Sequence, residues 1–418
     1  CWVQTTFRGK RMDTGELAWA VTATALVLLM TPGLAFFYGG LVKAKSVVSM
    51  MMMSFGSMAL VGVLWVLYGF NMSAVDTTWA FAGNPFADFG LAGIAESNED
   101  LIGAAFGATF AIITTALISG AIADRAKFGS WLVFAGLWST LVYFPVAAWV
   151  WGGGWILGLG DVMGLPGVID YAGGTAVHIN AGAAALALAI VLGRRVVFEK
   201  GAHKPHNVPL VMLGAALLWF GWFGFNAGAE FLNDMALVGL ITLNTLAATA
   251  AAILGWLVIE KVKDGKPTSV GAASGAVSGL VAITPACANL TPTFAVILGV
   301  VAGVLSALAV DLKYKLGYDD SLDVVGIHLV AGMVGTLYLG FFATGTGMFT
   351  GGDGGQLVVQ AIAAFGVLIF SFVVALILGF AIEKTMGFRV NNEDEVAGID
   401  TIVHGEDGYV LEGEAQNA

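Results

Sequence analysis

Asp170-Tyr171-Ala172-Gly173-Gly174-Thr175-Ala176-Val177-His178-Ile179-Asn180-Ala181-Gly182 and Asp323-Val324-Val325-Gly326-Ile327-His328-Leu329-Val330-Ala331-Gly332 are two versions of one phrase. Each places a histidine a few residues after an aspartate and opens the pattern His-x-x-Ala-Gly. Apolar and small residues follow, with no charge until the segment ends. A titratable ring in such surroundings is expensive, because hydrocarbon cannot hydrate it. An ionisable side chain inside a membrane segment marks a functional site with a partner to be found. The matched phrasing makes each histidine the other's candidate partner. The plainer reading, a ring bonded to a carbonyl in a tight helix contact, explains one histidine more readily than a repeated pair.

Around these phrases the chain is apolar. Of 418 residues, 58% are hydrophobic and 11% charged, and the mean hydropathy is +0.86. Soluble domains carry roughly a quarter charged residues. Apolar runs of about 20 residues, with 58 glycines among them, define an all-α polytopic membrane protein. Spans are expected near 16–37, 47–70, 101–122, 130–151, 173–193, 208–228, 235–259, 269–284, 292–316, 324–343 and 357–384. Cys1 and Cys287 make no disulfide framework and no metal-type spacing. A net charge of −11, concentrated in the last 36 residues and one acidic loop, gives no footprint for nucleic acid. Residues 1–11 precede Met12 and read as a leader or cloning remnant.

Lys and Arg alternate along the spans. Lys43 and Lys45, Arg125 and Lys127, Arg194 and Arg195, Lys261 and Lys263, Lys313 and Lys315, and Lys384 and Arg389 follow the odd-numbered spans. The other connections contain neither residue. The bias predicts an external amino terminus and a cytoplasmic carboxyl tail. The histidine phrases fall on spans five and ten, 150 residues apart. That spacing predicts two five-helix halves in opposite orientation, about 12–205 and 206–345, then a last helix, about 354–386, and a tail at 387–418. Asp170 to His178 is ~12 Å of helix at ~1.5 Å per residue, and Asp323 to His328 about 7–8 Å. Measured from opposite faces of a ~30 Å core, both rings can meet near its middle.

At this point the sequence resembles the ammonium transporters, the Amt/Mep/Rh group, most nearly the microbial Amt proteins. The resemblance covers nearly everything from Met12. It is carried by Pro32 through Gly40, Trp151 through Gly154, Asp170 through Asn180, Gly221 through Gly228, Thr284 through Cys287, and Asp323 through Gly332. It implies eleven helices around a pore within each protomer of a homotrimer in the cytoplasmic membrane. It makes His178 and His328 the pore histidines, Trp151 the recruitment tryptophan and Phe110 with Phe225 the stacked pair over the pore mouth. It places Phe37, Trp222 and Thr284 along the mouth and lining. Asp170 lies near the cation site, acting by orienting carbonyls and adding negative potential. It implies a regulatory tail docked on neighbouring protomers, a PII-type protein as cytoplasmic partner, methylammonium as a substrate analogue, and no cofactor and no enzyme activity. One position departs from the family. Its recruitment serine is replaced by Ala229, followed by Glu230.

The residues fit that function on physical grounds. Ammonium must lose water or a proton to enter an apolar pore. Aromatic faces replace part of its hydration by cation–π attraction, about 0.5–2 kcal/mol each. Taken singly, each aromatic also fits an interfacial belt. Asp170 and Asp323 both read as N-caps of the helices that follow, and Asp323 as purely structural. The missing hydroxyl at 229 predicts capture weaker by one hydrogen bond, ~0.5–1.5 kcal/mol, unless water or Glu230 replaces it.

Three alternatives compete. A haem protein would use both histidines as axial ligands, but glycine-rich faces argue for close helices. An ammonium sensor would keep the site and lose flux, and such proteins usually need a fused output domain, which is not expected here. An intramembrane hydrolase would need an activated Ser, Cys or metal motif.

Overall fold

The computed structural model describes residues 12–202 and 204–409. The expectations for residues 1–11 and for the end of the tail lie outside these. The described residues form helices joined by turns and loops, with no strand among them and one isolated antiparallel bridge between Ala126 and Arg389. Ten helices are long and apolar enough to cross a membrane: α1 (Thr14–Leu41), α2 (Ala44–Met72), α3 (Asn98–Ile122), α4 (Phe128–Val150), α5 (Gly174–Leu192), α6 (Val208–Leu232), α7 (Val238–Asp264), α9 (Pro292–Leu316), α10 (Val325–Phe342) and α11 (Gly355–Thr385). The expected eighth span is the shorter α8 (Ser269–Ile283). Its 15 residues reach only ~22 Å at ~1.5 Å per residue. The turns through Pro285 to Asn289 complete the crossing. The 31 residues of α11 exceed the roughly 20 that a span requires.

The helix ends follow local chemistry. Asp13 caps α1 in a reciprocal box with Glu16. Thr268 and Thr291 cap α8 and α9 by accepting backbone N–H groups. The first and second halves meet along α1 and α6, where glycines remove the side chains that would keep the backbones apart. A Cβ on Gly214 would stand 2.2 Å from the Phe37 nitrogen, and one on Gly40 2.7 Å from the Asn207 oxygen.

The second junction is between α5 and α10, and it explains the glycine of each His-x-x-Ala-Gly phrase. A Cβ on Gly182 would lie 2.6 Å from the backbone nitrogen of Leu329, the residue after His328. A Cβ on Gly332 would lie 3.2 Å from the Cβ of His178 and 3.3 Å from the Gly174 oxygen. Each phrase therefore supplies a gap that receives the other. Both histidines also sit on π-helical turns, Gly174–Ile179 and Val325–Val330. Such turns are rare and concentrate at functional sites, and hydropathy carried no sign of them.

At the Arg125 end of the bundle, charges are buried in pairs. Arg195 grips Asp319 with two nitrogens at 2.8 and 2.9 Å and reaches Asp124 at 3.4 Å. Burial lowers the Arg125 guanidinium to about 10, against the pull of Asp319. The described part of the tail packs on its own chain. Val390 bonds to the Arg125 carbonyl at 2.9 Å, and Asp400 accepts the Val48 and Ser49 amides at the start of α2.

Candidate functional site

The local fold around Asp170 places most of the site. Gly173 adopts a positive φ of 119°, turning the chain so that successive amides converge. The Asp170 carboxylate accepts from the N–H groups of Gly173, Gly174, Thr175 and Ala176. Burial pushes this carboxyl above its ordinary range, and the amides of Ala176, Thr175 and Gly174, with the Thr175 side chain, pull against that shift. No ion pair among the described residues engages it. The capping role expected of Asp170 is thus met. Its backbone oxygen does a second job by accepting the Trp151 indole N–H at 2.9 Å. The next two amides, of Tyr171 and Ala172, bond to the Pro285 and Thr284 oxygens and tie the loop to the end of α8.

Asp323 does not cap α10. That role falls to Asp320, whose Oδ2 accepts the Val325 N–H at 2.7 Å. Asp323 takes a positive φ of 62°, and its Oδ1 lies 2.6 Å from Lys313 Nζ. The lysine on α9 offers this carboxylate a full charge, which competes successfully with amide donors.

Trp151, Phe106, Phe110, Tyr143, Tyr171 and Leu232 line a concavity of about 500 Å³. Phe110 and Phe225 stack beneath it with centroids 4.1 Å apart and planes at 15°. Phe225 also borders a second, narrower space with Phe37, Trp222, His178 and His328. The phenylalanine stack thus stands between the aromatic concavity and the histidines. Four of the expected residues, Trp151, Phe110, Phe225 and Asp170, meet here. Phe106 escaped the sequence reading, although it lies one helical turn before Phe110 and so shares its face.

Beyond the stack, His178 lies between two rings. Trp222 is parallel to it at 5.4 Å, and His328 at 5.4 Å on a plane tilted by 22°. The two Nδ1 atoms are 3.3 Å apart, so one must donate and the other accept. The donor ring keeps a bare Nε2 and the acceptor ring carries its proton at Nε2. The Nε2 of His178 finds no protein partner among the described residues. Trp222 is held by its indole N–H on Thr284 Oγ1 at 2.7 Å, and Thr284 donates in turn to the Leu280 oxygen. Phe37 and Trp222 border the narrower space, and Thr284 stands behind it as the support of the Trp222 ring.

Ala229 is fully buried and does not appear in the walls of either space. Glu230 is also buried, with the Tyr171 hydroxyl donating to its Oε1.

An apolar bundle of membrane-length helices, with an aromatic concavity and a buried histidine pair on either side of a phenylalanine stack, defines a polytopic membrane protein. The sequence model of the Ammonium Transporter Family matches residues 18–409. An ammonium transporter of Mycobacterium bovis is 52% identical, over 95% of this chain and 90% of the relative. That of Aquifex aeolicus is 44% identical, over 96% and 95%. The crystal structure of Candida albicans Mep2 matches at 32% identity with a TM-score of 0.82, covering 92% of this chain and 88% of that one. A structure described as a sensor Amt protein matches at 27% identity and 0.85, covering 93% and 98%. The chain belongs to the ammonium transporter family. It is a multi-pass membrane protein of a transporter family, not an enzyme family.

Proposed function

We propose that this chain carries ammonium across the cytoplasmic membrane by capture at the Trp151 mouth, deprotonation near the phenylalanine stack with the proton taken up by the bare nitrogen of the imidazole pair, and passage of ammonia and, separately, of that proton past His178 and His328, so that each ammonium moves one net charge. The observation that carries this reading is the Phe110–Phe225 stack, with aromatic faces on one side of it and the paired imidazoles on the other. A cation gains from Trp151, Phe106 and Phe110 before the stack. Beyond it the space is apolar, and ammonium would have to shed a proton or remain unhydrated. Ammonia can donate to the bare Nε2 of one imidazole and accept from the Nε2–H of the other. Trp151 and Phe225 on one side and Phe37, Trp222 and Thr284 on the other keep the passage dry and in register.

The Lys and Arg alternation supports an external amino terminus, a Trp151 mouth facing outward and a cytoplasmic tail. The assembly proposed is a homotrimer with one pore per protomer, open at its cytoplasmic end to a PII-type regulator. Methylammonium is the expected analogue. The curated relatives named as ammonium transporters favour transport over a non-conducting sensor. Ammonium-triggered current in proteoliposomes, with and without an imposed proton gradient, tests the reading. A response no larger than that of empty vesicles would reject transport and leave the sensor.

A further inference from the structure

Tyr171 borders two spaces at once. Its ring belongs to the aromatic concavity with Trp151 and Phe110. It also lines a wider, open hollow with Glu230, Asn233, Asp234, Leu237 and Asn289. Its hydroxyl donates to Glu230, and Asn233 hydrogen-bonds to the tyrosine as well. Glu230 is 1% exposed. Its Oε2 takes the Leu237 N–H at 3.0 Å, and Asn233 Nδ2 lies 3.4 Å from Oε1. Every ion pair among the described residues involves other acids, so no Lys or Arg neutralises this carboxylate.

Held only by neutral donors, the Glu230 carboxyl lies in a region where solvent screens its field little. Of the other carboxylates nearby, Asp170 faces four amide dipoles that absorb its field, and Asp234 is exposed to solvent and accepts the Ala236 N–H. Trp151, Phe106 and Phe110 offer a cation only quadrupoles. A tyrosine that donates to a carboxylate is polarised, which enriches both its oxygen and its ring.

We propose that Glu230, acting through Tyr171, is the positioning residue that gives the cation-recruitment site its negative character, in place of the hydroxyl missing at 229. The inference rests on the recruitment role proposed above for the aromatic concavity. It assigns the preference of that concavity for a small monovalent ammonium cation to a carboxylate one ring behind the wall.

The test uses the full-length protein in liposomes and ammonium chloride as the probe. E230Q keeps the shape and removes the charge, and it should raise the half-saturating ammonium concentration roughly three- to tenfold, the scale of one hydrogen bond. Maximal current should stay within about twofold, because the stack and histidines are untouched. E230D should recover most of the loss. Y171F should act in the same direction, and Y171F/E230Q should add little to the larger single effect, since one residue works through the other. Half-saturation unchanged in both single variants would overturn the proposal. So would half-saturation and maximal current worsening together in E230Q, as collapse of the wall would produce. Independent, additive effects would overturn the coupling through Tyr171. A parent protein without ammonium-dependent current would instead reject the transport reading, and this inference with it.

Discussion

His178 and His328 meet Nδ1 to Nδ1, at 3.3 Å, with their rings nearly parallel. Only one proton fits between those atoms, so the two imidazoles form a single unit with one donor edge and one acceptor edge. H178A should leave the fold intact and admit water, because the remaining imidazole is polar. Discrimination between ammonium and potassium should fall sharply in ion-replacement currents. Unaltered discrimination would remove the pair from the selectivity step.

At the mouth, W151L removes a cation–π partner worth about 0.5–2 kcal/mol, or roughly two- to thirtyfold in half-saturation. Maximal flux should change less. A229S should move half-saturation by less than about twofold in the parent, where Tyr171 forms the wall with Glu230 behind it, and by more in E230Q. A concentration series for the four proteins decides this, and an equal shift in both backgrounds would contradict it.

Thr284 carries the Trp222 indole. T284V strands a buried N–H, a loss of about 1–3 kcal/mol. The thermal midpoint should drop, and Trp222 fluorescence should report a looser ring against His178. A midpoint equal to that of the parent would mean that another acceptor replaces the hydroxyl.

Gly182 lies against the Leu329 backbone with no room for a methyl group. G182A must part α5 from α10 and should cost about 1–3 kcal/mol by overpacking. Because the same contact sets the imidazoles, ammonium selectivity should fall with stability. Loss of stability with selectivity intact would show that the pair tolerates the separation.

Asp319 and Asp320 respond to pH in opposite senses. Burial would raise Asp319, but the Arg195 fork outweighs it and holds the carboxyl below its usual range. Its contribution is present above the unfolded value of about 4 and fades as the pH falls through the folded value. Asp320 is pushed up to about 6, chiefly by burial and further by Asp323, against Lys313. There the native state holds a proton that the unfolded chain releases. That contribution is full below about 4 and lost as the pH rises through about 6. Thermal midpoints measured from pH 4 to 8 should therefore fall less in D320N than in the parent. Parallel profiles would disprove the assignment.

Much of this was legible in the chain. Hydropathy marks the eleven segments because each span must be apolar over a fixed length. The repeated His-x-x-Ala-Gly phrase points to one junction because a titratable ring and a small residue are both conspicuous in hydrocarbon. Other features depend on contacts that no local pattern records. The π-helical turns shift a hydrogen bond by one residue without changing composition. Asp320 rather than Asp323 caps α10 because Lys313, from another helix, claims Asp323. Tyr171 and Glu230 are 59 residues apart, and their pairing emerges only once α8 anchors the Asp170 loop.

Asp170 joins the two ends of this arrangement. Its backbone oxygen steadies Trp151, while its side chain steadies the turn that bears His178. Mouth and pair thus behave as a single lever, and a change in the loop reaches both arms. A substitution at Asp170 therefore acts on the surroundings of Trp151 and of His178 together. Glu230, one ring behind the Trp151 concavity and apart from the His178 turn, is placed to act on one arm alone.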